Sequence, residues 1–316
     1  MYSYENYNKV KAEIEARRLE AIRRSDERSE ILRSLSDEIA KIDEELSGTG
    51  LLLFKTACSG GDITPIRIRN QALTKKRREI IKSLGYPEDY TDVHYSCPDC
   101  MDTGFINGTR MCRCFREALI KATILSSGIG NLIENQSFDN FDLNWYRENA
   151  DVYARMQANL AAAKNYVKGF AKKKDNLLLI GSTGTGKTHI STAIAREIIN
   201  LGYDVIYDST QNIVNDFEAD KFKSGYGQYA PRSEKYLECD LLIIDDLGTE
   251  FSSQFTLSCL YNLFNTRQNR GLATIISTNL SPEELAKKYE DRIYSRIVGS
   301  GCRILFFGGR DHRVNA

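Results

Sequence analysis

Residues 181–188, Gly-Ser-Thr-Gly-Thr-Gly-Lys-Thr, fit the GxxxxGK[ST] pattern with nothing missing. An apolar run (177–180) precedes the octet and a helical pattern (188–199) follows it. Such a loop works only where a strand hands over to a helix. Its glycines let the backbone wrap phosphate oxygens, and its N–H groups converge at a helix N-terminus. Lys187 supplies a point charge to the β- and γ-phosphates, and the Thr188 hydroxyl is a Mg²⁺ ligand. Gly181, Ser182, Thr183, Gly184, Thr185, Gly186, Lys187, Thr188 and the adjoining His189 are the candidate nucleotide-binding residues.

The loop fixes the class of its surroundings. Apolar stretches at 176–180, 204–207, 241–244, 273–277 and 303–307 alternate with helical patterns, which predicts five parallel strands covered by helices on both faces. The third stretch ends Ile-Ile-Asp245-Asp246. Asp245 is placed for Mg²⁺, and a second carboxylate can orient or deprotonate the attacking water. Asp246 and Glu250 are the alternatives for that second role. The fourth stretch ends Ser-Thr-Asn279, where a polar side chain can reach the γ-phosphate, and Ser281 to Glu284 reads as a capped helix start. Arg292 and Arg296 lie four apart on one helical face. Arginines there stabilise a transferring phosphoryl group when a neighbouring subunit supplies them; a solvated helix face is the alternative.

Upstream the texture differs. Residues 1–50 contain no proline, and Leu35, Ile39, Ile42 and Leu46 recur at helical spacing, with Val10, Ile14 and Ile22 continuing the seam. The pattern breaks at 47–50 and 59–61, and a second helical stretch runs over 65–84. This predicts an antiparallel hairpin, either a solvated scaffold or a protein-docking module. Four of the eight cysteines (Cys97, Cys100, Cys112, Cys114) crowd one short segment. The polar N-terminus carries no secretory signal pattern, and no apolar run reaches the ~20 residues of a membrane span. A cytoplasmic protein without membrane contact is expected, and in a reducing compartment such a cluster points to a metal rather than disulfides. The balance of 43 Lys+Arg against 43 Asp+Glu excludes a protein that coats nucleic acid by bulk charge, while leaving room for a local basic surface.

Together, segments 181–188, 241–250, 277–279, 291–296 and 309–313 resemble the AAA+ branch of P-loop ATPases, and within it the bacterial replicative-helicase loaders of the DnaC/DnaI type. The resemblance implies ATP and Mg²⁺ as cofactors and ATP hydrolysis as the activity. It implies Lys187 and Thr188 as Walker A, Asp245 and Asp246 as Walker B and Asn279 as sensor 1. Either Arg292 or Arg296 is the arginine finger, and Arg313 is a sensor-2-like residue. It also implies little or no C-terminal lid, self-association through the AAA+ module, and a hexameric replicative helicase and single-stranded DNA as partners. Lys221, Phe222, Lys223, Tyr226 and Tyr229 interleave aromatics with lysines, a pattern that serves base stacking or core packing equally well. The cysteine segment resembles the zinc module in front of DnaI-like loaders. Cys-x2-Cys followed by Cys-x-Cys can supply four thiolates to Zn²⁺, with His94 the nearest replacement for one of them.

The expected organisation is a helical partner-docking region (1–86), a zinc-binding module (87–125), a linker (126–150) and the AAA+ ATPase domain (151–316). An IstB-type transposition helper and a nucleotide-sensing adaptor with little turnover are the rival readings.

Overall fold

A computed structural model describes residues 2–130, 132–222, 231–299 and 301–311. Elements follow in the order α1 (Tyr4–Leu35), α2 (Asp37–Cys58), α3 (Thr64–Ser83), β1 (Phe105–Ile106), β2 (Arg110–Met111), α4 (Arg113–Ser126), α5 (Leu132–Asn135), a 3-10 turn (Leu143–Tyr146), α6 (Ala150–Gly169), β3 (Asn176–Ile180), α7 (Lys187–Asn200), β4 (Val205–Ser209), α8 (Thr210–Phe222), α9 (Glu234–Glu238), β5 (Leu241–Leu247), α10 (Gln254–Asn269), β6 (Ala273–Thr278), α11 (Pro282–Lys288), α12 (Asp291–Ile297) and β7 (Cys302–Phe306). The chain divides into two compact units, residues 9–116 and residues 117–316 with 1–8. Among the described residues no helix is long and apolar enough to cross a membrane.

In the larger unit, strands β3 to β7 form one parallel sheet in the order β4-β5-β6-β3-β7. Side chains alternate faces along a strand, so an all-apolar strand needs cover on both sides. Leu177, Leu179, Ile243, Ile275 and Leu305 join one core, which includes Met156 and Ala163 of α6 and Ile190 and Ile194 of α7. Leu178, Ile180, Leu242, Ile244 and Ile276 join the other, with Leu260 and Leu263 of α10 and Ile293 and Ile297 of α12. The predicted parallel α/β architecture is thus the observed one. β5 runs three residues beyond its apolar stretch, with a register shift between Ile244 and Leu247. Within that shift Asp246 takes a left-handed φ of 55°, which a short polar side chain tolerates.

In the smaller unit, α2 and α3 are joined through residues 59–63, where Gly60 has φ 71°. Arg77 of α3 reaches Asp43 of α2 at 2.6 Å and donates to Thr91 Oγ1 at 2.7 Å. Burial opposes the Asp43 charge, but Arg77 and Arg33 hold its carboxyl below the usual range. The expected break at 47–50 does not occur, because α2 continues through Gly48 and Gly50. The helix boundary lies earlier, at Ser36, whose hydroxyl accepts the Ile39 N–H at 3.3 Å as an N-cap. That boundary resets the helical phase, so Ile39 and Ile42 are buried while Leu35 is 55% exposed.

Candidate functional site

The loop 181–186 leaves the C-terminal end of β3, beside the ends of β5 and β6, where ligands of open α/β sheets bind. Gly184 (φ 73°) and Gly186 (φ 92°) make the turn into α7. A Cβ on Gly186 would stand 2.7 Å from the Tyr146 hydroxyl, so glycine is required there for space as well as for φ. A cavity of about 250 Å³ opens over the loop. Its walls include Thr183 through His189, together with Asp246 and Asn279.

Lys187 is 6% exposed and donates to Gly181 O (2.6 Å), Ser182 O (2.8 Å) and Asn279 Oδ1 (2.7 Å). Three oxygens thus surround the ammonium where phosphate oxygens could take their places. The same contacts tie the end of β6 to the loop. Asp245 accepts from the Ser277 hydroxyl and, on its other oxygen, from Tyr207 Oη at 2.5 Å. Burial first, and then the Asp245 charge, push the Tyr207 phenol far up. Thr188 leans on that same phenol. A hydroxyl and a carboxylate oxygen converging there are the donor types a hard cation such as Mg²⁺ takes.

Asp246 and Glu250 have separate fates. Asp246 lines the cavity, with its N–H donated to Ser277 Oγ at 3.0 Å. Glu250 is buried and consumed, accepting from Gly248 N–H (2.8 Å) and Tyr289 Oη (2.6 Å) beside Lys288 Nζ (3.3 Å). Of the two, Asp246 is the carboxylate that lines the cavity.

Arg292 and Arg296 do not line this cavity. Arg292 borders a separate shallow cleft with Leu257, Tyr261 and Glu290, and Arg296 donates to Gln268 Oε1 at 3.1 Å. Lys221 sits 4.8 Å over the Phe255 ring. Lys223, Tyr226, Tyr229 and Arg313 lie outside the described residues, as does the side chain of Phe222.

The expected linker contributes more than a connection. Phe141, Trp145 and Tyr146 wall the cavity, and Tyr146 Oη donates to Thr185 O at 3.1 Å. His189 Nε2 lies 2.9 Å from Ser137 O, and its ring meets Phe141 edge-on at 5.1 Å. Burial lowers the His189 pKa against the pull of the Ser137 carbonyl. The signal for these residues was a polar stretch holding the chain's single tryptophan, since amphipathic rings favour wet pockets.

In the smaller unit the four cysteine sulfurs converge, all within 4.8 Å of one another. Cys97 and Cys112 are 3.7 Å apart and Cys100 and Cys114 are 3.5 Å apart. A tetrahedral thiolate site with Zn–S near 2.3 Å needs sulfurs about 3.8 Å apart. The donor set and spacing fit Zn²⁺ and leave no open position for catalysis. Asp102 shapes the first knuckle by accepting Ser96 N–H (2.8 Å) and Cys97 N–H (3.0 Å), and it pairs with Arg17 at 2.6 Å. Gly104 O accepts the Cys112 N–H at 2.8 Å, closing the second knuckle. His94 is half exposed, near Asp89, and stands outside the four-sulfur cluster.

Residues 126–298 match the sequence profile of the family described as IstB-like ATP binding protein. The chain is 25% identical to the replicative helicase loader DnaC of Escherichia coli (strain K12) over 206 residues, covering 65% of this chain and 80% of that protein. It is 30% identical over 122 residues to the chromosomal replication initiator protein DnaA of Campylobacter jejuni, 39% of this chain and 27% of that one. A crystal structure of the DnaC helicase loader aligns over 56% of this chain and 98% of its own, with a TM-score of 0.48 and 21% identity.

Proposed function

This chain belongs to the family of IstB-like ATP binding proteins, and from that membership we propose that it is an ATP-hydrolysing loader of a hexameric replicative DNA helicase. The observation that carries the proposal is the convergence of Lys187, Asp246 and Asn279 on one cavity, in a chain similar over most of its length to a replicative helicase loader. Lys187 exchanges its loop carbonyls for phosphate oxygens. Thr188 and Asp245 hold Mg²⁺, which screens the phosphate charge when bound. Asp246 orients the attacking water and takes its proton, while Asn279 reports the γ-phosphate to β6. The arginine that completes the site, Arg292 or Arg296, comes from a neighbouring copy, so hydrolysis needs self-association.

The AAA+ ATPase domain comprises residues 151–316, with the connector 126–150 completing its cavity. The helical region 1–86 and the zinc-binding module 87–125 grip the helicase, with Zn²⁺ on Cys97, Cys100, Cys112 and Cys114 as a folding element. The ATPase module contacts single-stranded DNA. Whether nucleotide is ATP or ADP switches the protein between holding and releasing its partner. A loading assay tests this: the chain with ATP should place a replicative helicase on circular single-stranded DNA, and Lys187→Ala should not. Loading that proceeds equally with Lys187→Ala refutes nucleotide coupling. The family's name, IstB-like, coincides with a second reading, a transposition helper. That reading expects preference for double-stranded DNA in a filter-binding comparison.

A further inference from the structure

The register of the sheet brings a phenol to the acidic end of β5. β4 and β5 pair in parallel, with Tyr207 beside Ile243 and Ser209 beside Asp245. Alternate residues of a strand share a face, so Tyr207 and Asp245 are diagonal neighbours on the side of the sheet that α7 covers. A diagonal pair is too far apart for two short side chains but within reach of an aromatic one. The Tyr207 hydroxyl spans the gap and donates to Asp245 Oδ2 at 2.5 Å.

Both ends of that contact are fixed. Tyr207 is buried in the core that includes Ile190 and Ile194 of α7, and its N–H donates to Ser127 O at 2.6 Å. Gly128, at φ 81°, passes so close that a Cβ on it would stand 2.4 Å from Tyr207 O. On the other side, the Ser277 hydroxyl holds Asp245 Oδ1, and the Thr210 hydroxyl donates to the Asp245 carbonyl at 3.3 Å. A carboxylate held by one oxygen can still turn about its Cβ–Cγ bond, whose torsion is soft; held by both, it cannot. Each carboxylate oxygen has two lone pairs, so one donor on each still leaves one per oxygen for a cation. Thr188 leans on the same phenol, so the hydroxyl and the carboxylate assigned to Mg²⁺ meet around Tyr207 Oη.

We propose that Tyr207 is a positioning residue whose hydroxyl aims the Asp245 carboxylate at the Mg²⁺ that accompanies the nucleotide. This rests on the reading of the cavity as a site for ATP and Mg²⁺. Tyr207 acts only through Asp245, and its contribution lies in the hydroxyl rather than in the packing of the ring. Groups behind a metal ligand set its orientation before the ion arrives, and losing one costs about 10- to 100-fold in metal affinity.

The test is a Mg²⁺ titration of the binding of a fluorescent ATP analogue to the full chain. Electron paramagnetic resonance of Mn²⁺, with ATP present, reads metal occupancy directly. Tyr207→Phe keeps the ring and removes only the hydroxyl. In this variant the Mg²⁺ concentration at half-saturation should rise about 10- to 100-fold, and Mn²⁺ occupancy at low metal should fall. Excess Mg²⁺ should restore binding of the analogue to the level of the unaltered chain. An unchanged Mg²⁺ midpoint overturns the proposal. So does a loss of binding that excess Mg²⁺ does not restore, through unfolding or otherwise, because that marks a structural role. An unaltered chain that binds the analogue at no Mg²⁺ concentration overturns the nucleotide reading itself and this inference with it. That outcome is distinct from binding with the same midpoint in both chains.

Discussion

Asp246 and Glu250 share a charge and stand four residues apart, yet Asp246 lines the cavity and Glu250 is buried. Glu250 is held by Gly248, Tyr289 and Lys288 in a buried network, so its removal leaves a phenol and an ammonium without their partner. Glu250→Ala should lower unfolding free energy by about 2–4 kcal/mol in denaturant titration, with ATP affinity nearly unchanged. Asp246→Asn should do the reverse, leaving the melt intact and slowing hydrolysis about 10²- to 10⁴-fold while nucleotide still binds. Lys187→Ala should weaken ATP binding about 10- to 100-fold in the same titration. The octet 181–188, Asp245 and Asn279 were legible because phosphate chemistry restricts residue type at fixed spacing. Which of Asp246 and Glu250 lines the cavity was not, since it depends on where Tyr289 and Lys288 arrive from α11.

At the level of elements, apolar strands were the clearest signal, because a strand buried on both faces must be a continuous hydrophobic run. Strand ends moved by up to three residues, most at β5, where the shift that sets Asp246 follows no hydrophobic rule. Helix boundaries among charge-mixed residues were harder. Glycines at 48 and 50 looked like a stop, but each costs only about 1 kcal/mol inside a helix. The Ser36 cap, inside the span of the Leu35–Leu46 seam, made the real boundary. The α11 start was legible because its capping box is written locally: Ser281 Oγ accepts the Glu284 N–H at 3.2 Å, and Glu284 Oε2 accepts the Ser281 N–H at 2.7 Å.

The start of β4 carries a pH dependence. Burial, with the nearby Asp240 charge adding to it, pushes the Asp204 carboxyl up to about 6 from an ordinary 3.8. Lys174 instead holds Asp240 below the usual range, against its own burial. A carboxyl raised on folding keeps its proton longer in the native state, so its ionisation takes stability away as pH rises from about 4 to about 6. Asp204→Asn should therefore raise the melting temperature at pH 7.5, by a free energy of about 1–3 kcal/mol. The gain should fade toward pH 4. A gain independent of pH would show that Asp204 acts through packing instead.

For the whole molecule, the candidate nucleotide site and the candidate arginines occupy different places on the larger unit, so the proposed function expects hydrolysis to be a property of an assembly. A variant lacking both Arg292 and Arg296, and a separate Asp246→Asn variant, should each be nearly inactive. Mixed together they should recover part of the ATPase rate, because one copy lends its arginine to the intact site of another. The zinc-binding module has its own test. The purified chain should hold one Zn²⁺, and Cys100→Ser should lose it while ATP binding persists, since the four sulfurs lie in the smaller unit.

The balanced charge noted in the sequence has a local meaning at this scale. Arg77, Arg33 and Arg17 are spent on carboxylates within the smaller unit, which suits a folded partner better than a nucleic-acid backbone. The account therefore turns on one protein–protein contact controlled by nucleotide. Affinity co-purification of the tagged chain with a hexameric replicative helicase, in ATP and in ADP, measures it directly. The account predicts helicase retained with the chain, in amounts that differ between the two nucleotides. Absence of helicase under ATP would contradict it.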